Sequence, residues 1–380
     1  MGKTRSKAKR ANGEGGITYR EDGRYMGRYT VQTSTGPKRR VVYGRTRKEA
    51  HEKLIKALAD RDQGLVFQGE KQKVSAFLDR WLNGSVKGYV KPSTFESYER
   101  MIRNHIRPAL GHKQLRTLAP DHVQYFYQSK LDNGLAPGTV RLMHGILHKA
   151  LEQAVKWGAV PRNVCKAVTP PKPNPEEIHP LDAEQAKRLL EAAHENRLEA
   201  LYVLAVTAGL RVGELLGLKW EDLELDAVTL RVRRTRSQAR SGPTFTAPKN
   251  GKGRSIKLTQ WAVEVLKVHK AGQNAERLKA GNLWRDNDLV FCTHTGKPLD
   301  FRNLATASFK PLLEKAGLPD IRFHDLRHTC ATLLLSRGHH PKLVQELLGH
   351  ASVALTLDRY SHVLPGMGDQ TAAAMEAALS

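Results

Sequence analysis

A proline-rich stretch near the middle of the chain limits the architectures that the chain can adopt. Four of the six residues from Pro170 to Pro175 are proline. Proline cannot continue a helix and favours extended backbone. Residues 169–180 are therefore predicted to be a linker between separately folded parts. The length of 380 residues is itself typical of two or three domains.

The chain is strongly basic, with 62 Lys and Arg residues against 38 Asp and Glu residues and a formal net charge of +24. Such an excess indicates a polyanionic partner, either nucleic acid or an anionic membrane surface, and we favour nucleic acid. No run of about 18 apolar residues occurs, so no membrane span is expected. The basic residues 1–10 are not followed by the apolar segment that a secretory signal requires.

Cysteine and histidine spacing argues against a disulfide framework or a zinc site. The three cysteines are Cys165, Cys292 and Cys330. They lie far apart, are odd in number and form no CxxC pair, so we expect small apolar core residues in a reducing compartment. His339, His340 and His350 are close in sequence, but no zinc-binding spacing accompanies them.

The first segment is predicted to form a three-stranded sheet with one helix. Residues 16–20 and 24–31 have the pattern of strands, and they flank Asp22–Gly23, a favoured hairpin turn. A third strand is expected over residues 39–43. Thr46 and Glu49 then form a capping box that begins a helix reaching about Asp60. Basic residues among the tyrosines suit contact with phosphates, and a solvated basic surface is the alternative.

The second segment, from about Lys73 to Val168, is predicted to be helical. One apolar stripe repeats at helical spacing, formed by Val74, Phe77, Leu78, Trp81 and Leu82. Three further helices are expected, from Pro92 through Ile106, over residues 121–131 and over residues 137–157. Four helices with basic residues between them are typical of a helical bundle that binds DNA.

The third segment places polar residues where packing alone does not require them. Arg211 lies where an apolar helix ends at Gly209 and another begins. Its guanidinium is well placed to hold an anion, and a salt bridge to Glu214 explains it about as well. His324 and Arg327 share one face of a further predicted helix, because they lie three residues apart.

Three more polar residues of the third segment are candidate functional residues. His350 comes directly after a helix that Pro341 should open and Gly349 should end. Tyr360 lies near the end of the next helix, where a tyrosine is ordinarily a half-buried packing residue. Lys249 precedes an Asn-Gly turn in a predicted hairpin whose returning strand is residues 254–258.

Five motifs of the third segment resemble, in order and spacing, those of the tyrosine recombinase (phage integrase) family. They are AGLRVGELLGLKW at 208–220, TAPKNGKGRSIKL at 246–258, FHDLRHTCATLLL at 323–335, LLGH at 347–350 and LDRYSHVLPGM at 357–367. The overall arrangement resembles integrases of temperate phages and integrative elements. The resemblance implies a multidomain, mainly α fold with small β elements. The expected parts of the chain are an arm-type DNA-binding domain (1–65, a three-stranded sheet plus helix), a helical core-binding bundle (72–168), a linker (169–180) and an α+β catalytic domain with a C-terminal tail (181–380).

By this resemblance, the chain is a site-specific DNA recombinase that integrates or excises a mobile element. Its catalytic residues are Arg211, Lys249, His324, Arg327, His350 and the nucleophile Tyr360. The arginines and imidazoles would hold the phosphate oxygens, and Tyr360 would form a 3′-phosphotyrosine. Lys249 would protonate the leaving 5′-oxygen, assisted by His324 or His350. The family often has Pro-Lys-Thr followed by Ser and Arg, so Lys252 remains an alternative to the favoured Lys249.

The resemblance also implies partners and surroundings. We expect double-stranded DNA with core-type and arm-type sites, a homotetramer in the synapse, and accessory partners such as a host DNA-bending protein and an excisionase. No metal, ATP or redox cofactor is expected, because the energy of the broken bond is kept in the phosphotyrosine. The expected location is the bacterial cytoplasm, near the nucleoid. The alternatives are a type IB topoisomerase-like enzyme and a non-catalytic architectural DNA-binding protein.

Overall fold

The computed structural model describes seven stretches of the chain: residues 16–33, 36–62, 72–173, 178–240, 242–248, 253–360 and 375–379. The chain divides into two compact units between Pro175 and Glu176. Within the described stretches, no helix combines the length and the apolar character needed to cross a bilayer.

An antiparallel three-stranded sheet and one helix open the first unit, as the sequence predicted. The strands are, in spatial order, β1 (Gly16–Tyr19), β2 (Tyr25–Thr33) and β3 (Gly36–Gly44). The turn after β1 contains Gly23 with a φ of 77°, which glycine adopts without steric cost. Helix α1 (Arg47–Asp62) begins where Thr46 Oγ1 accepts a hydrogen bond from the main-chain N–H of Glu49. The predicted helix start is therefore confirmed.

A helical bundle follows in the first unit. Its helices are α2 (Val74–Trp81), α3 (Pro92–Met101), α4 (Arg107–Leu110), α5 (Pro120–Asp132) and α6 (Pro137–Lys156). The apolar stripe predicted on α2 is buried in the core of this bundle. The second predicted helix is divided by a wide π-helical turn over Ile102–Ile106. Pro108 accounts for the division, because it has no N–H to donate and its ring would clash with the carbonyl of Asn104.

The second unit is mainly helical, which together with its small sheets confirms the predicted fold class. Its helices are α7 (Ala183–Ala192), α8 (Glu199–Thr207), α9 (Val212–Leu215), α10 (Gln260–Ala280), α11 (Phe301–Asn303), α12 (Lys310–Lys315), α13 (Asp325–Ser336), α14 (Pro341–Leu348) and α15 (Val353–Tyr360). Helix α8 is buried from Ala200 to Val206. It lies in the apolar core of the unit because it is apolar on all sides.

Two small sheets complete the second unit. One contains β4 (Leu223–Glu224), β5 (Thr229–Val232) and β8 (Arg254–Lys257), and the other is the hairpin of β6 (Thr235–Ala239) and β7 (Gly242–Thr246). The sequence predicted that β8 returns in a hairpin across the Asn-Gly turn. That pairing is wrong for the described residues, because β7 pairs with β6 and β8 pairs with β5. The turn itself, residues 249–252, lies outside the described stretches.

The helix boundaries that position the polar residues follow local sequence signals. Asp182 accepts a hydrogen bond from the main-chain N–H of Gln185, and the Gln185 side chain accepts one from the N–H of Asp182. Pro341 lies in the first turn of α14, and Gly349 ends that helix with a φ of 66°. These predicted boundaries are confirmed. The three cysteines are buried and form no disulfide, as expected of core residues.

Gly209 lies at a tightly packed point of the second unit. Its φ is 58°, and a Cβ at this position would lie 2.6 Å from Leu348 Cδ2 and 3.2 Å from Cys330 Sγ. Both neighbours are buried. The backbone conformation and the lack of space therefore both require glycine where α8 ends.

We predict that Gly209→Ala destabilises the second unit by about 2–4 kcal/mol, from backbone strain plus overpacking. Gly317→Ala is the matched control. Its φ is 60°, but the nearest atom to the added Cβ is Arg188 Nη1 at 4.0 Å, so it should incur backbone strain alone. Differential scanning calorimetry measures both midpoints. Equal losses in the two variants would contradict the packing argument.

Candidate active site

A buried carboxylate, that of Glu214, joins two arginines in the second unit. Arg211 donates to it from Nη1 at 2.9 Å and from its main-chain N–H at 3.0 Å. Arg254 donates to both carboxylate oxygens, at 3.1 and 2.7 Å. The salt bridge that the sequence offered as an alternative reading of Arg211 is therefore present. It also fixes the guanidinium of Arg211, whose side chain is 28% exposed.

The two arginines keep Glu214 ionised. Burial by itself would raise the pKa of this carboxyl group. The hydrogen bond and positive charge of Arg254, followed by those of Arg211, outweigh burial and hold the pKa at about 2. The carboxylate thus remains negative at any pH at which the protein is expected to work.

Arg327 is a buried cation that joins two distant parts of the chain. Its Nη1 donates to the carbonyl of Gly209 at 2.7 Å, and its Nη2 donates to the carbonyl of Leu348 at 2.6 Å. The Leu348 carbonyl is the last of α14, where carbonyls have no partner within the helix, and the Gly209 carbonyl lies two residues after the end of α8. Burial, with repulsion from Arg211, lowers the pKa of Arg327 to about 9, so it stays charged at neutral pH.

His350 is held beside Arg211 by the end of α14. Arg211 Nη2 donates to the carbonyl of Gly349 at 3.3 Å, directly before His350. The ring of His350 is half-buried, and its Nδ1 lies 2.9 Å from the hydroxyl oxygen of Thr356, which is fully buried on α15. One ring nitrogen of His350 is therefore occupied by α15, which fixes the orientation of the ring.

His324 and Tyr360 both lie close to a third residue, His328. His324 directly precedes α13, and its ring centroid is 5.2 Å from that of His328. His328 Nδ1 lies 2.6 Å from the Tyr360 hydroxyl oxygen. Loss of solvation within the surrounding protein, with repulsion from Arg327, lowers the pKa of His324. His324 is thereby favoured as a neutral imidazole at neutral pH.

A cavity of about 890 Å³ opens beside these groups. Arg211, Arg254 and His350 line it, together with Pro248 and Gly253. The last two residues immediately flank Lys249 and Lys252, which both lie outside the described residues. In the stretches that the structure describes, no three His, Cys, Asp or Glu side chains are grouped as a metal site would require.

Hydrogen bonds thus link both Arg211 and Arg327 to the segment that ends at His350, and His328 lies in contact with both Tyr360 and His324. Sequence reasoning did not identify three residues of this arrangement, namely Arg254, His328 and Thr356. His328 carried a usable signal, because it lies four residues after His324 on the same helix. Arg254 and Thr356 carried none, because their partners are 40 and 6 residues away and depend on how the chain folds.

Two sequence models of known families match this chain, one in each of its two units. The sequence model of the Phage integrase family matches residues 179–366, and that of the phage integrase N-terminal SAM-like domain matches residues 73–131. A protein of Caldanaerobacter subterraneus subsp. tengcongensis named Tyrosine recombinase XerC-like is 34% identical over 348 residues, 86% of this chain and 88% of that protein. An integrase of Saccharopolyspora erythraea is 28% identical over 95% of each chain.

Solved structures share the fold. The integrase of transposon Tn1549, in complex with a circular intermediate DNA, has a TM-score of 0.67 and 20% identity over 80% of this chain and 99% of that chain. A lambda integrase tetramer bound to a Holliday junction has a TM-score of 0.56 and 22% identity over 88% and 95% of the two chains.

We predict that Glu214 makes the free energy of unfolding fall as the pH is lowered into the acid range. Its pKa is about 2 in the folded chain against an ordinary 4.5. The contribution of ionised Glu214 to the free energy of unfolding is about 3 kcal/mol. It is therefore complete above about pH 4.5 and is lost as the pH falls toward 2. The gap in thermal midpoint between the wild type and Glu214→Gln should be widest at pH 5–7 and should narrow below pH 4.5.

Glu191→Gln is the control for this experiment, because the Glu191 side chain is 63% exposed. It should leave the midpoint nearly unchanged over the whole pH range. A gap for Glu214→Gln that stays constant down to pH 2.5 would refute the role assigned to the carboxylate.

Proposed function

The chain belongs to the phage integrase family of tyrosine recombinases, and we propose that it cleaves and rejoins DNA at specific sites through a covalent bond to Tyr360. The observation that carries this proposal is the set of contacts that gathers Arg211, Arg327, His350 and Tyr360 from segments far apart in sequence. The relatives bear the names of recombinases and integrases. These names favour strand exchange over the topoisomerase and the non-catalytic alternatives.

Phosphate binding is the task of the cationic groups. A phosphodiester carries one negative charge, and attack on it builds further charge on the non-bridging oxygens. Guanidinium groups fixed in advance stabilise that charge without having to reorganise. Arg211 is fixed by Glu214, and Arg327 by two carbonyls. The partly exposed Arg211 and the half-buried His350 line the cavity, so a phosphate entering it would meet both groups.

Strand cleavage then proceeds by displacement. Tyr360 loses its hydroxyl proton to water, which the surrounding positive charges favour, and the phenolate oxygen bonds to phosphorus while the bond from phosphorus to the 5′-oxygen breaks, leaving a 3′-phosphotyrosine. The leaving 5′-oxygen takes a proton from Lys249, with His324 or His350 assisting. In the second step, the 5′-hydroxyl of a partner strand attacks the phosphotyrosine and releases Tyr360. Neither step in this scheme requires ATP or a metal ion.

The proposed organisation assigns one task to each part of the chain. Residues 1–65 bind arm-type sites, residues 72–168 bind core-type sites, residues 169–180 link the parts, and residues 181–380 carry out catalysis. The match of residues 73–131 to a SAM-like integrase domain supports the second assignment. Recombination of two duplexes calls for four protomers, and the solved lambda integrase tetramer on a Holliday junction supports this number. A host DNA-bending protein, an excisionase and a bacterial cytoplasmic location near the nucleoid belong to the same proposal.

We predict that Tyr360→Phe binds its DNA site with unchanged affinity but forms no covalent adduct, because the attacking oxygen is gone. Denaturing electrophoresis in SDS after incubation with cognate DNA measures the adduct. Tyr202→Phe is the control. Tyr202 is also buried, but its hydroxyl lies 2.7 Å from that of Ser308, so this variant should still form the adduct. An adduct in Tyr360→Phe would refute the assignment of the nucleophile.

We predict that Lys249→Ala slows cleavage by about 100-fold or more, and that Lys252→Ala slows it less. The measurement is single-turnover cleavage of a nicked suicide substrate. Replacing the bridging 5′-oxygen with sulfur should restore the rate of Lys249→Ala, because a thiolate leaves without a proton. The reverse order of the two variants would transfer the role of the acid to Lys252.

A further inference from the structure

His328 contacts the proposed nucleophile, Tyr360, directly. The distance from His328 Nδ1 to the Tyr360 hydroxyl oxygen is 2.6 Å, and the ring centroids are 5.6 Å apart. His328 is 3% exposed and Tyr360 is 2% exposed. A hydrogen bond between two groups shielded from water to this degree is costly to leave unmade.

Apolar side chains hold the ring of Tyr360 but not its hydroxyl group. The ring packs in a small cluster with Ala331, Leu335, Val344 and Leu348 from α13 and α14. Such contacts are non-directional, so they set the depth of the ring without specifying a partner for its oxygen. His328 supplies a directional partner from the same helix as Arg327.

We propose that His328 is a positioning residue, which aims the Tyr360 hydroxyl oxygen at the phosphate through a hydrogen bond to its Nδ1. This inference rests on the proposed function, because it assigns to His328 a role that acts through the nucleophile. His328 and Arg327 are consecutive residues of α13, so the helix that places a phosphate-binding guanidinium also places the attacking oxygen. A shift of about 1 Å in such an arrangement is enough to slow a reaction 100-fold.

The geometry makes the identity of the ring nitrogen testable. The polar atoms of asparagine lie at about the position of Nδ1 of histidine, whereas those of glutamine reach to about the position of Nε2. Leucine has a similar size and no polar atom. If the bond to Nδ1 positions Tyr360, single-turnover cleavage should fall by about 10- to 100-fold in His328→Leu and in His328→Gln. His328→Asn should recover most of the rate, although its side chain cannot accept a proton at neutral pH.

Each variant is first compared with the wild type in DNA affinity and thermal midpoint, so that a loss of folding is recognised. Cys330→Ala is the matched control. It removes a buried thiol two residues further along α13 that donates a hydrogen bond to the carbonyl of Thr207, so it should lower the midpoint and leave cleavage within about threefold. If His328→Leu folds poorly, the cleavage rates of His328→Asn and His328→Gln still show whether a polar atom at the position of Nδ1 is what matters.

Two results would overturn the proposal. One is wild-type cleavage in His328→Leu, which would make the contact incidental. The other is an Asn variant as slow as the Leu and Gln variants, which would assign His328 the removal of the phenol proton rather than the aiming of the oxygen. Failure of the proposed function gives a different signature, namely an adduct that persists in Tyr360→Phe or never forms in the wild type.

Discussion

A single buried guanidinium, that of Arg327, holds the second unit of this recombinase in its working arrangement. It joins the carbonyl that follows α8 to the carbonyl at the end of α14, which lie 118 and 21 residues away in sequence. A buried cation without such partners would be strongly destabilising. Arg327 therefore needs both carbonyls, and its two hydrogen bonds hold the ends of the two helices together. It also places Arg211, which follows α8, close to His350, which follows α14.

Charge balance explains why the same residues suit a phosphate. Arg211 and Arg254 hydrogen-bond to the carboxylate of Glu214, and the negative charge of Glu214 also raises the pKa of the nearby Arg327 against the effect of burial. The carboxylate neutralises part of the positive charge of these arginines and makes its burial tolerable. An excess of positive charge remains, which an entering phosphodiester would balance. Stability of the free protein and affinity for the anion thus depend on the same network, and removing either sign of charge should disturb both.

Local sequence signals predicted the elements well and their long-range pairing poorly. Thr46, Asp182, Pro341 and Gly349 each mark a helix boundary that the structure confirms, because capping and φ preference act within a few residues. The partner of β8 was predicted wrongly, since an Asn-Gly turn indicates a hairpin wherever it occurs. Strand Thr235–Ala239, which pairs with the strand before that turn, leaves β8 to pair with β5.

The sequence alone determined which chemistry is available: two arginines, histidines and Tyr360 appear in motifs that resemble one family, on a chain charged strongly enough to bind DNA. Only the tertiary structure decided which side chains hold these groups in place. Arg254 and His328 lie within the quoted motifs, but their roles come from contacts with Glu214 and Tyr360, 40 and 32 residues away. The physical reason is that burial and hydrogen-bond distance depend on how helices pack, and packing is a property of the whole unit rather than of any local pattern.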